Sequence, residues 1–165
     1  MSVKKFLVTQ QFEASSETVH QAYRQEGTWR SFGGLPFVGD PVVTSFQASD
    51  PTLIETSYRV SIDLPPLATT FIDPEKMTFV EATTLHTDGS GSFVIVPDHY
   101  GKLLKASGRI EMVPFDTDRC ERLIHGSVEV SLGWSGKLFE GPVEDAIVAG
   151  LKQALQAQAD QVSVH

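Results

Sequence analysis

The sequence predicts an α+β domain in which a curved antiparallel sheet of six to seven strands wraps a long C-terminal helix, with one or two short helices after strand one. Three observations predict it. Between residues 41 and 132, apolar and polar residues alternate in runs separated by Asp, Gly and Pro, the pattern of antiparallel strands with one wet face. A helical segment interrupts the strands only once, straight after the first of them. One long amphipathic stretch, "GPVEDAIVAGLKQALQAQ" at 141–158, closes the chain.

Each element has its own signal. "VKKFLVTQQFE" places Phe6, Val8 and Phe12 on one face of a strand. "SSETVHQAYRQ" begins a helix, with Ser15 or Ser16 as N-cap and Glu17 in the first turn. Val19, Ala22 and Tyr23 form its inward stripe. Trp29 and Phe32 belong to a short second helix closed by Gly33-Gly34. "PVVTSFQA" and "TLIETSYRVSID" follow as strands joined by a turn at Ser49-Asp50-Pro51. Tyr58, Val60 and Ile62 share one face of the second, and Glu55, Ser57 and Arg59 the other. The three prolines of "LPPLATTFIDPE" predict an irregular cover. Two hairpins come next, turning at 88–91 and 116–118. In the last strand Ile124, Gly126, Val128 and Val130 face one way, and Glu121, His125, Ser127 and Glu129 the other.

The closing helix is predicted over 142–161, with Gly141 as N-cap, Pro142 at the first position, and Glu144 and Asp145 at the positive end of the dipole. The alternative is a start near Lys137 with a kink at Pro142. From 142 onward it spans about 30 Å, enough to cross a sheet of nine-residue strands. Its inner face carries two ridges. Val143, Ile147, Leu151 and Leu155 are large; Ala146, Gly150 and Ala154 are small.

Composition excludes several function classes. Thirteen basic against twenty-one acidic residues give a net charge of −8, which opposes binding to nucleic acid or an anionic membrane surface. The N-terminal "MSVKKFLVTQQF" has too short an apolar run for a signal peptide. No run approaches the ~18 apolar residues of a membrane span. A cytoplasmic protein without membrane insertion is expected. Cys120 is the only cysteine, so neither an intrachain disulfide nor a thiolate cluster can form. Histidines 20, 86, 99, 125 and 165 lack metal-ligand spacing, so no metal or other cofactor is expected.

The segments "VTQQFEASSETVHQAY", "SGSFVIVPDHYGKLLKASGRIEM" and "SLGWSGKLFEGPVEDAIVAGLKQAL", in the order β–α–α–β₆–α, resemble the START-like superfamily, also called SRPBCC. This group includes the birch-pollen allergens, lipid-transfer START domains and polyketide cyclases. The likeness runs over the whole chain, read as one domain at 1–165, and within the superfamily is closest to an actinobacterial family of unknown function. It implies the helix-grip fold, with a ligand cavity between sheet and helix. It carries no catalytic motif, so architecture follows from it more firmly than function.

On that frame the small ridge of the helix leaves room for a ligand, or lets another backbone approach closely. Mid-helix Gly150 costs ~1 kcal/mol relative to alanine and so calls for a reason. The expected site is an apolar pocket bounded by Tyr58, Phe93, Ala146, Ile147, Gly150, Leu151 and Ala154, taking a lipid-like or polyketide-like molecule. Trp29, Phe32, Phe71, Trp134 and Phe139 are candidates to line or lid it, or else belong to the core. An alternative is a cyclase- or hydrolase-type enzyme using polar groups in that cavity, with Arg59, His86 and His99 as candidates and Asp98-His99-Tyr100 as a turn cluster. Gly133-Trp134-Ser135-Gly136 does not match a nucleophile elbow. A second alternative is a ligand-free interaction module with a filled cavity.

Overall fold

The computed structural model describes residues 2–164, for Asp40 the backbone only; His165 lies outside the described residues. The elements are β1 (Ser2–Phe12), α1 (Ser16–Tyr23), α2 (Glu26–Ser31), β2 (Val38–Gln47) and β3 (Thr52–Val60). Two short 3₁₀ turns, Pro66–Thr70 and Pro74–Lys76, follow. Then come β4 (Thr78–Leu85), β5 (Gly91–Pro97), β6 (Leu104–Pro114), β7 (Cys120–Val130) and α3 (Gly133–Gln161). The seven strands form one antiparallel sheet in the order β1-β7-β6-β5-β4-β3-β2. Burial alternates residue by residue along β5 and β7, as a sheet with one covered face requires. Edge strand β2 shifts register twice, between Gly39 and Val42 and between Val43 and Ser45, a local twist that blunts pairing with other chains.

The curl of the sheet is built into one cross-strand row. Phe6 of β1 pairs with Gly126 of β7, Gly126 with Gly108 of β6, and Gly108 with Phe93 of β5. The two glycines lie under the two rings. A methyl added at Gly126 would fall 2.1 Å from the Phe6 ring, and one at Gly108 would fall 2.4 Å from Phe93. Side chains at both glycines would push the rings outward and flatten the sheet. Phe93, expected in the pocket wall, is spent here instead.

Ser15 caps α1, its Oγ accepting from Thr18 N at 3.1 Å. Phe12, Tyr23, Trp29 and Phe32 then stack edge to face with ring centroids 6.3, 6.3 and 5.7 Å apart. Trp29 Nε1 donates to the Tyr23 carbonyl. This aromatic row pins both short helices against β1.

Helix α3 begins at Gly133, nine residues before the predicted start and four before the alternative near Lys137, and runs through Pro142. The local signals at Gly141-Pro142 are overridden by tertiary contacts of the preceding turns. Gly136 packs on Phe71 and Leu132. Phe139 lies 5.9 Å from Phe71. The Glu140 carboxylate accepts from Leu132 N, satisfying a donor at the helix start. The expected cover at residues 64–75 is the pair of 3₁₀ turns that supplies Phe71. Trp134, by contrast, is 92 % exposed and belongs neither to core nor lid.

The helix runs alongside β1. Lys4 Nζ meets Asp145 Oδ1 at 2.7 Å, and Gln10 Nε2 donates to the Leu155 carbonyl at 2.7 Å. At its far end the Gln161 amide clasps the Gly33 backbone, donating at 2.7 Å and accepting at 3.1 Å.

Gly126→Ala should cost about 1–3 kcal/mol through overpacking against Phe6. Denaturant unfolding of this variant and of Gly126→Ala combined with Phe6→Leu checks it, the second recovering part of the loss.

Candidate functional site: two chambers between helix and sheet

Two small chambers lie between α3 and the concave sheet face, sharing a wall made by Tyr58 and Leu151. The first, about 20 Å³, is bounded by Phe37, Phe79, Ile95, Val128 and Ile147. The second, about 50 Å³, is bounded by Trp29, Phe32, Thr56, Glu81, Ala154 and Gln158. A water needs about 10–15 Å³ by the same measure, and a cavity that takes benzene is roughly 150 Å³. As they stand the chambers hold a few waters at most.

The reason is Phe37. Its φ is +71°, and Val38 N donates to the Pro36 carbonyl at 2.8 Å. These are features of a γ-turn with the strained sign of φ, rare for any residue other than glycine. Its carbonyl accepts from Ser61 N at 2.8 Å, which fixes the turn to the end of β3. The turn aims the ring into the helix–sheet space, where it rests on Gly150. A Cβ at Gly150 would lie 1.9 Å from that ring. The thin middle of α3 is therefore a seat for Phe37.

Of the residues expected to bound a pocket, Tyr58 and Leu151 line both chambers, Ile147 the first and Ala154 the second. Gly150 lies under Phe37. Ala146 and Phe93 line neither. The polar candidates do not converge. Arg59 is exposed on the outer sheet face, and His86 and His99 are exposed at turns. Tyr100 Oη accepts from Asp73 N, so that cluster is turn chemistry. His125 lies on the outer face against Glu111 at 3.2 Å. His20 is buried and hydrogen-bonds the His86 carbonyl. Burial, the largest cause, outweighs that bond and lowers its pKa, so the neutral ring is favoured.

The polar groups inside are different ones. On β7, Arg122 is 2 % exposed. Its Nη1 donates to Gln10 Oε1 at 2.9 Å, and its guanidinium lies 3.6 Å from the Tyr23 ring centroid. Burial lowers its pKa, with Tyr23 and Glu81 opposing. Glu81 of β4 pairs with Thr56 of β3 and Ile95 of β5 and points inward. It is half-buried and lines the second chamber. Burial pushes its pKa up to about 7, with the positive charge of Arg122 pulling the other way. Burial also pushes the Tyr58 hydroxyl well above its usual value, and Glu81 adds to this. Thr56 Oγ1 is buried without a partner.

These inward residues were signalled by parity. Extending the Ile124–Val130 face back by one step reaches Arg122, and the face of Phe79 continues through Glu81. Two charges in otherwise apolar registers were the available sign.

No family model matches the chain, and no curated protein matches it by sequence. Solved structures do match. An aromatase/cyclase (Zhui) from a Streptomyces species aligns with TM-score 0.67 at 9% identity, over 98% of this chain and 92% of that one. Norcoclaurine synthase from Thalictrum flavum aligns with TM-score 0.65 at 17% identity, over 98% and 84%. A START superfamily protein from Mycobacterium smegmatis aligns with TM-score 0.54 at 15% identity, over 96% and 99%. The chain has the helix-grip fold. Among the described residues no group of three or more His, Cys, Asp or Glu side chains could hold a metal, and no helix is long and apolar enough to cross a membrane.

The raised Glu81 pKa sets a sign. The folded chain holds this proton more tightly than the unfolded one, so stability is full below the unfolded value near 4.5 and falls as pH rises toward about 7. Glu81→Gln removes the loss. Its stability relative to the parent should rise by about 1–3 kcal/mol between about pH 4.5 and about pH 8, one pKa unit being ~1.4 kcal/mol. Denaturant unfolding at the two pH values measures it.

Proposed function

We propose that this protein binds a hydrophobic small molecule between α3 and the sheet, the ligand displacing the Phe37 ring from its seat on Gly150. The observation that carries the reading is that a strained turn holds an aromatic ring in the helix–sheet space. Strain at a single half-buried loop residue, costing of order 1–3 kcal/mol, persists where the surroundings demand it. With the ring withdrawn, the first chamber, which Phe37 bounds, gains the volume of a benzyl group beside the Tyr58–Leu151 wall that it shares with the second. That space suits one or two fused rings better than a long acyl chain. The fold neighbours support small ring-bearing ligands: a norcoclaurine synthase structure holds dopamine and hydroxybenzaldehyde.

A second reading, an enzyme of cyclase or hydrolase type, is favoured by one observation. Glu81 faces the chamber with its pKa raised to about 7, where a carboxyl can both give and take a proton.

Phe37→Ala should take up methylnaphthalene about tenfold more tightly than the parent, because the competing ring is gone. Gly150→Leu, which fills the seat and expels Phe37, should bind less than the parent. Equilibrium dialysis of the three proteins decides. Absence of binding by both parent and Phe37→Ala would refute a ligand cavity and leave the ligand-free interaction module.

A further inference from the structure

The second chamber contains one charged group with nothing to hold. Among the described residues no hydrogen bond or ion pair engages the Glu81 carboxylate. Thr56, its directly paired neighbour on β3, is 6 % exposed and its Oγ1 also lacks a partner. Both border the same space, whose remaining walls are largely apolar or aromatic: Trp29, Phe32, Leu151 and Ala154. Two adjacent acceptors facing an apolar hollow are costly unless a donor arrives.

Resting on the reading above, we propose that Glu81 and Thr56 anchor the basic nitrogen of an amine whose aromatic or alicyclic body occupies the place of the Phe37 ring. Glu81 and Ile95 are cross-strand partners, and Ile95 lines the first chamber. Glu81 thus lies one cross-strand pair from a wall of the first chamber, and the amine's arm passes the shared Tyr58–Leu151 wall to meet it. Arg122 is the obvious anchor for the opposite chemistry, a carboxylate ligand. It borders neither chamber, its Nη1 is committed to Gln10, and Tyr23 covers its face. The charge that meets the ligand is the negative one.

The surrounding elements leave Glu81 as the group that titrates. β3 contributes Tyr58, whose hydroxyl burial keeps protonated. α2 and the Phe32 that follows it contribute two aromatic rings, α3 contributes Ala154, Leu155 and Gln158, and β7 contributes the Arg122 charge behind the wall. In the empty protein near neutral pH the carboxyl is about half protonated. An ammonium group stabilises the carboxylate, so binding drives the proton off to solvent.

Three probes of one shape test this: naphthylmethylamine, methylnaphthalene and naphthylacetate, titrated calorimetrically into the parent and the Phe37→Ala variant near pH 7. The expected result is at least tenfold tighter binding of the amine than of either other probe. Amine binding should release about half a proton, read from buffers of differing ionisation enthalpy, and methylnaphthalene should release none. Glu81→Gln should erase both the preference and the release while keeping methylnaphthalene affinity. Thr56→Val should weaken the amine a few-fold. Equal binding of amine and hydrocarbon overturns the anchor and leaves the cavity reading standing, as does tightest binding of naphthylacetate, which would assign the role to Arg122. Binding of none of the three overturns both.

Discussion

A guanidinium shut inside an apolar curl is the constraint from which much of the rest follows. Arg122 cannot reach water, so it must be solvated by protein. Gln10 supplies one acceptor and Tyr23 a ring face. The same Gln10 amide turns its other end to the Leu155 carbonyl of α3. One buried charge thus ties β7, β1, α1 and α3 in a single chain of contacts. Removing a partner of such a group commonly costs several kcal/mol, since the charge is left unsolvated. The helix is held at one height and rotation along β1. That setting brings Gly150 opposite Phe37 and Ala154 to the second chamber.

Three glycines among the described residues lie so close beneath an aromatic ring that an added Cβ would fall within 2.4 Å of it. At Gly126 and Gly108 the ring comes from the neighbouring strand, and its position is fixed by the backbone ladder, on one side for edge strand β1 and on both sides for β5. Those two contacts shape the sheet. At Gly150 the ring comes from a loop and is held by a backbone conformation that phenylalanine disfavours. The first two contacts are bound to the sheet and the third is not. A ring that reaches its seat through strain has less to lose by leaving it than one carried by regular sheet. The Gln161–Gly33 clasp sits four residues before Phe37 and anchors the base of that loop to the end of α3, while the Phe37 carbonyl ties its tip to Ser61 N.

Inside the same curl the two charges are treated differently. Arg122 lies behind the wall with partners; Glu81 lies at the wall without them. Their attraction offsets only part of the burial penalty on Glu81, which is why its proton is shared with solvent near neutrality. An interior built for stability alone would place an apolar residue at 81, as at Phe79 and Leu85 on the same face. The departure from the pattern marks the site.

Strand parity in residues 52–60 and 120–130, the turns between strands and the amphipathic C-terminal stretch already specified a curved antiparallel sheet gripping one helix, because period-2 and period-3.6 patterns are local consequences of which faces are covered. Tyr58, Ile147, Leu151 and Ala154 were placed toward the interior on that basis, and they line the chambers. The start of α3 was misread because Pro142 and Gly141 carry a strong local signal, while the contacts of Gly136, Phe139 and Glu140 that extend the helix backward are made with residues far away or outside it. Nor could local pattern show that Phe93 would cover Gly108, since that needs the register of β5 on β6. Gly150 was legible as a thin point but not as an occupied one. What fills it is a side chain 113 positions earlier, aimed by the sign of one backbone angle, and only the folded chain brings the two together.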